Sequence, residues 1–390
     1  MQTISRFMAG AVARMVLAAI FLLSALFSSC ATSAVDGPTR GQEVVFFPSP
    51  ASVLSDNQWL LTIQGRVFEP TEKSRGREAL IDVLAPLVRA RPADPLFRAR
   101  ARYFLSDSSR NIRISVKVGD QVIALAASDP AGYFTGDITL PGDEVMKLAK
   151  SGVIFFQSVP TATNSKSFSG SVVLVPEEGV TVITDMDDTI KITDMLNDRE
   201  KVANTFLRPF KAVPGMPALY RSWMEGLGPR IHFHVVSAGP WQFNEPLRRF
   251  TEGAGFPAFT WDMRSVDIGD VSVLVKAMGA DKNDMYEFKL QKIRAFMTRF
   301  PKRRVVLVGD SGEKDPEVYA KILSAFPNRV ERVFIRNVNR EDQTGRYDKL
   351  FRSKEAAAKL RVFQNPRELP PPVSTPVAQS ANLSLNRIAH

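Results

Sequence analysis

The chain has a single cysteine, Cys30, in 390 residues, so no disulfide can close within it. Histidine is almost as scarce. Of the three, His232 and His234 would share one face of a strand, but no third zinc ligand accompanies them and a structural role is expected. The apolar run from Met15 to Phe27 falls short of the ~20 residues that a membrane helix needs. No Gly-x-Ser-x-Gly elbow surrounds Ser237, which excludes a hydrolase nucleophile of that kind, and no internal repeat is visible.

What is present begins with a leader. Arg6 and Arg14 precede the apolar run and small residues follow it, the pattern of a signal peptide over 1–34. Cys30 directly follows small residues and resembles the modified cysteine of a lipobox, which predicts cleavage before Cys30 and lipidation there. The alternative is cleavage after Ala31 or Ala34, releasing a free exported protein. Composition is 44% hydrophobic and 24% charged, which suits a globular protein with room for two domains. The net charge of +10 fits either an anionic partner (a phosphorylated substrate, an acidic membrane or nucleic acid) or a solvated basic surface.

Residues 35–56 are rich in Pro, Ser, Gly and Asp and read as a linker. Strand patterns follow at 59–68, 112–118, 121–126, 133–140, 153–159 and 171–175, with polar turns between them. They predict a β-sandwich-like domain over 57–176, interrupted by two helices near its start. Leu80, Val83, Leu84, Leu87 and Val88 mark the first helix, and Asp94-Pro95 starts the second. The arginines between Arg89 and Arg102 would face either anionic lipid or, more simply, solvent.

From residue 177 the pattern changes. Strand-like runs at 180–184, 231–237, 258–261, 305–309 and 330–336 alternate with helical ones, which predicts an α/β domain over 177–363 with a parallel sheet covered on both faces. Residues 364–390 are Pro-, Ser- and Asn-rich and read as a disordered tail.

In parallel sheets reacting groups gather at the carboxyl ends of strands. Here the first strand ends in Asp185-Met186-Asp187-Asp188-Thr189, the second at Ser237 and the fourth in Gly309-Asp310, with Asp315 five residues on. Lys289 opens a helix ahead of the fourth strand. Clustered carboxylates repel one another, so a cation or a shared proton is implied. Asp185 could attack phosphorus as a carboxylate nucleophile, and Asp187 could move the protons. Mg²⁺, which needs few protein carboxylates, would be held by Asp185 and Asp310 with Asp315 close by. Ser237 and Lys289 could hold the phosphate.

The order Asp-x-Asp-x-Thr, Ser, Lys, Gly-Asp-x4-Asp resembles the haloacid dehalogenase superfamily of phosphatases. The segments 184–191, 236–241, 300–301, 308–319 and 334–336 are similar to the actin-patch-type phosphatidate phosphatase catalytic domain, and Gln64 to Pro70 resembles the sheet-rich segment that accompanies it in bacterial members. The serine motif reads Ser237-Ala238-Gly239-Pro240 where members often carry Ser-Asn-Ser-Pro. The resemblance implies a Rossmann-like sheet and Mg²⁺-dependent conversion of phosphatidate to diacylglycerol through an aspartyl-phosphate. It implies Asp185 as nucleophile, Asp187 as general acid and base, and Ser237, Lys289 and Thr189 as substrate ligands. The metal would be held by Asp185, the Asp187 backbone carbonyl, Asp310 and Asp315. Lys276, Lys282 and Lys292 compete with Lys289 for its role. The expected partners are anionic phospholipid and a membrane surface, with no nucleic acid, and the expected place is the bacterial cell envelope, lipid-anchored on the periplasmic side. Turnover of a soluble phosphomonoester, and a non-catalytic envelope lipoprotein, are the alternatives.

Overall fold

The computed structural model describes residues 34–54, 57–70, 81–82, 85, 89–266, 282–338 and 344–373. Cys30 and the leader lie outside these residues, as does most of the first expected helix. Among the described residues no helix is long and apolar enough to cross a membrane.

The strand Gly179–Thr184 is buried along its whole length, so its side chains on both faces must be covered. It is the centre of a six-stranded sheet in the order Thr260–Arg264, Ile231–Pro240, Gly179–Thr184, Arg303–Asp310, Val330–Arg336, Leu360–Phe363. All neighbours are parallel. In chain order this is 3-2-1-4-5-6, a doubly wound arrangement whose direction reverses between Gly179–Thr184 and Arg303–Asp310. Val180 and Val182 pack on one face with Tyr220, Trp223 and Leu247, from helices Met216–Leu227 and Asn244–Gly253. Ile183 packs on the other face with Ile293, Phe296 and Ile322, from helices Lys282–Arg299 and Asp315–Ala325. At the amino ends of the strands, Arg303 is fully buried. It donates to Thr181 Oγ1 and to the carbonyls of Pro176, Glu178, Val180 and Arg230 at 2.5–2.9 Å.

Three expectations need correction. Residues 35–56 are not a linker: Glu43–Phe47 and Ser49–Val53 are strands of the first domain, formed by the run Val44-Val45-Phe46-Phe47 despite Pro48 and Pro50. That domain is not a sandwich of two sheets but one curled, mixed, ten-stranded sheet. Its parallel pair, Ser49–Val53 with Ser169–Leu174, joins the two ends of the sequence segment, and Phe46, Phe134 and Phe156 fill the interior of the curl. Gly65 allows the tight curl, since a Cβ there would lie 2.4 Å from the Val45 carbonyl. Third, the tail is ordered through 373, with Leu369 and Val373 buried in the same core as Val213 and Met216. The strand Leu360–Phe363 and the helix Gly142–Leu148 carried too little periodic signal to be predicted. The Asp94 helix start is as expected, with Asp94 Oδ1 accepting from Leu96 and Phe97 N–H at 2.9 Å at the head of Pro95–Leu105.

The curled sheet docks on the edge of the parallel one. Trp261 N–H donates to the Pro48 carbonyl at 3.1 Å, and Phe47 stacks on Trp241 at 4.0 Å. Arg299 donates to Ser52 Oγ, Thr62 Oγ1 and the carbonyls of Pro50 and Leu60 at 2.8–3.1 Å.

His232 and His234 flank Thr260, whose hydroxyl lies 3.0 Å from His232 Nε2 and 2.8 Å from His234 Nδ1. Both rings stack against Phe296. Burial, reinforced by Arg303 and His234, holds the His232 pKa well below its ordinary value. The unfolded chain takes up a proton near pH ~6.5 and the folded chain does not, so this contribution to stability is whole above that pH and lost below it. Urea unfolding at a series of pH values should therefore show wild type losing up to ~1.4 kcal/mol more per pH unit than His232→Phe below pH ~6.

Candidate active site

The site lies where the strand order reverses. The Asp185 N–H donates to the Val308 carbonyl at 2.9 Å, extending the pairing of the first strand by one residue. Its carboxylate thereby emerges beside Asp310, the last residue of Arg303–Asp310. Asp315 opens the next helix and turns back beneath them, its Oδ2 accepting from the Asp310 N–H at 3.2 Å. Asp185, Asp310 and Asp315 are all buried, with ligand oxygens within 4.8 Å of one another.

Lys289 supplies the countercharge. It does not open its helix, as expected from sequence, but sits well inside Lys282–Arg299, and only 2% of it is exposed. Its Nζ lies 2.9 Å from Asp185 Oδ1, 2.5 Å from Asp315 Oδ1 and 3.1 Å from Glu313 Oε2. Of its competitors, Lys292 pairs instead with Asp262 at 3.0 Å, and Lys276 lies outside the described residues. One ammonium thus faces four carboxylates counting Asp310, and the excess charge shows in their protonation. Burial pushes Asp185 up to about 7 and Asp315 up to about 6, against the pull of Lys289. Burial also raises Asp310 far above the usual carboxylate range, and raises Glu313. For Lys289 burial works the other way, but the surrounding carboxylates outweigh it and hold its pKa well above normal.

Two buried oxygens in this cluster, Asp185 Oδ2 and Asp310 Oδ2, have no hydrogen-bond partner. Unpaired buried carboxylate oxygens are costly, and hard oxygen donors crowded this closely fit a small divalent cation. Both oxygens of Asp315 are already engaged, by Lys289 and by the Asp310 N–H, so it suits a supporting place behind the other two.

Asp187 stands apart from this cluster. Its side chain is 23% exposed, and its Oδ1 accepts from Lys191 Nζ at 2.7 Å and Thr193 Oγ1 at 2.5 Å. Burial alone would raise its pKa, but the Lys191 ammonium prevails and lowers it. The loop that brings Lys191 and Thr193 here is tied by Asp188, whose carboxylate accepts from the N–H groups of Thr193, Asp194 and Met195 at 2.6–2.8 Å. Asp188 itself adopts φ 56° to make the turn.

A cavity of about 410 Å³ opens above these groups. Asp185, Asp187, Ser237 and Lys289 all reach it, while Asp310, Asp315 and Thr189 lie beneath, outside its lining. Ser237 Oγ accepts from the Gly239 N–H at 3.1 Å, a local turn that leaves its hydroxyl proton for another acceptor. Thr189 Oγ1 is buried without a partner. Glu313, Lys191 and Thr193 also line the cavity and were given no role from sequence, although Lys191 and Glu313 fall within the motifs that carry the resemblance. Phe210, Phe243, Leu247, Met263 and Met285 make much of the wall apolar.

Comparison with known proteins agrees with the motifs. Residues 180–337 match the family model described as Phosphatidate phosphatase APP1, catalytic domain. Phosphatidate phosphatase APP1 of Saccharomyces cerevisiae is 30% identical over 161 residues, covering 40% of this chain and 26% of that protein. An uncharacterized protein of Schizosaccharomyces pombe is 29% identical over 217 residues, covering 54% of this chain and 34% of the relative. The chain therefore spans between a quarter and a third of the length of these relatives. A solved structure of a carbohydrate esterase aligns over 76% of this chain and 88% of its own at 9% identity, with a TM-score of 0.21, too low to carry an argument. The segment with the buried aspartates thus lies within the match to the phosphatidate phosphatase APP1 catalytic-domain family.

Proposed function

We propose that the chain is a Mg²⁺-dependent phosphatase of the haloacid dehalogenase type that converts phosphatidate to diacylglycerol. It would act from the envelope side of a bacterial membrane, anchored through Cys30. The observation that carries this reading is the pair of buried, unpartnered oxygens, Asp185 Oδ2 and Asp310 Oδ2, beside Lys289 and under a largely apolar cavity. It lies within the segment that matches the phosphatidate phosphatase family.

In this reading the Asp185 carboxylate attacks phosphorus, the bond from phosphorus to the ester oxygen breaks, and an aspartyl-phosphate forms on Asp185. Ser237 and Lys289 hold the phosphoryl oxygens. Asp187 gives a proton to the departing alkoxide and later takes one from the water that attacks phosphorus, restoring Asp185 and releasing phosphate. The Lys191 pairing favours the ionised form of Asp187, which the water step uses, so the leaving-group step requires that pairing to loosen as the anionic phosphate enters. Asp185, Asp310 and, behind them, Asp315 would hold Mg²⁺, with the Asp187 carbonyl as a further ligand. The ion would neutralise charge on the phosphoryl oxygens. The net charge of +10 favours an anionic lipid surface.

Assaying the full chain on phosphatidate micelles tests the chemistry. Turnover should need Mg²⁺, stop with EDTA, and fall ~10³-fold or more in Asp185→Asn, the scale expected when a nucleophile is removed. Activity that survives both treatments would sink the mechanism. Faster turnover of glycerol phosphate or a nucleotide than of phosphatidate would move the substrate to the soluble class.

Gly309 offers a second test. A Cβ there would lie 2.3 Å from Asp315 Oδ2, so Gly309→Ala must displace a carboxylate that supports the metal site. The Mg²⁺ concentration for half-maximal rate should rise ~10–100-fold. An unchanged Mg²⁺ titration in a folded variant would remove Asp315 from the metal site.

A further inference from the structure

Arg100 lies on the helix Pro95–Leu105, inserted in sequence between strands of the curled sheet, and touches two residues of the active-site cavity's wall. From sequence its helix reads as facing lipid or solvent, yet Phe97, Arg100, Ala101 and Leu105 form its buried stripe, and only 5% of Arg100 is exposed. One guanidinium nitrogen donates to the Thr205 carbonyl at 2.7 Å, and its carbon lies 3.8 Å from the centre of the Phe210 ring. Burial lowers its pKa to about 10, against the opposing effect of Asp94, so it stays charged at neutral pH.

Thr205 and Phe210 are wall residues of the active-site cavity. Thr205 lies in the π-helical turn Ala203–Leu207, where the Arg208 N–H reaches back to the Ala203 carbonyl at 2.9 Å and the Thr205 carbonyl is left to Arg100. Single π turns are rare and recur at functional sites. On the same ring, Lys191 Nζ lies 5.1 Å from the centre, so Phe210 is shared between the domain contact and the loop that holds Asp187.

Burying a guanidinium against one carbonyl and one ring leaves much of its desolvation uncompensated, and an apolar residue would fill the space at less cost. What arginine adds is direction: a planar group that bonds in its plane and stacks on its face fixes both the turn and the ring. Asp185, Lys289 and Glu313 are the charged groups that would take the phosphate, and Phe210, Phe243 and Leu247 give the same cavity an apolar lining for a hydrocarbon attached to it.

We propose that Arg100 is a positioning residue for substrate specificity, holding the 205–210 wall as the subsite for the hydrocarbon beyond the phosphate. This rests on the phosphatase reading above. The curled-sheet domain is then a structural part of the active site.

The test compares wild type, Arg100→Met and Arg100→Lys, each as the full chain, on dioctanoyl phosphatidate and on p-nitrophenyl phosphate, which has no alkyl chain. In Arg100→Met, kcat/KM on the lipid should fall ~10-fold through KM while the aryl phosphate stays within about twofold, the size of effect a reshaped apolar subsite produces. Arg100→Lys, which keeps the charge but not the planar face, should fall between. Arg100→Lys carries the test if circular dichroism shows Arg100→Met unfolded. Equal loss on both substrates, or loss on neither, in the folded variants overturns the assignment. A wild type inactive on both substrates would instead sink the phosphatase reading, and this subsite with it.

Discussion

Keeping four carboxylates and one ammonium out of water in the same small volume is the constraint to which the α/β half is built. Each buried ion costs several kcal/mol before any pairing is counted. The cluster persists because strands and helices deliver its members from opposite sides. Asp185 and Asp310 come from adjacent parallel strands, Asp315 and Glu313 from the turn that follows, and Lys289 from a helix crossing the sheet face. Leu290, Ile293, Phe296 and Met297 fix the depth of that helix in the core, and therefore the height of the Lys289 ammonium. Packing sets the electrostatics here, and the remaining negative charge is what a cation would meet.

The same helix joins the two domains. Its last residue, Arg299, binds two carbonyls and two hydroxyls of the curled sheet, while Lys289, three turns earlier, holds the carboxylates. Arg100 adds a contact to the cavity wall from the helix Pro95–Leu105, which lies in sequence between strands of the curled sheet. Movement between the sheets would disturb both the wall and the seat of Lys289. A connection through both ends of one helix suits a site whose groups must be held to within a fraction of an ångström.

Much of the α/β half is legible in the sequence because parallel strands buried on both faces are continuous apolar runs, and because the reacting groups stand immediately after them. Five of its six strands and the meeting of Asp185 with Asp310 follow from that rule, whereas Lys289 comes from inside a helix and Asp315 from the start of one. What escaped depends on contacts distant in the chain. Glu43–Phe47 and Ser49–Val53 lie among prolines and become strands only because Gln58–Glu69 and Ser169–Leu174 pair with them. Arg100 reads as a surface charge until Thr205 and Phe210 are brought against it. Lys191 and Thr193 reach Asp187 only through the Asp188 turn, whose positive φ no residue pattern announces.

The last strand of the parallel sheet has a practical consequence. The segment matched by the family ends at 337, yet Leu360–Phe363 supplies the hydrogen bonds on the outer side of Val333 to Arg336, and Leu369 and Val373 seal the core beyond it. A fragment cut at the family boundary would carry the buried aspartates and also a bare strand edge, the kind of surface that draws chains together edge to edge. The piece of chain needed to cover that edge is thus larger than the piece that matches the family.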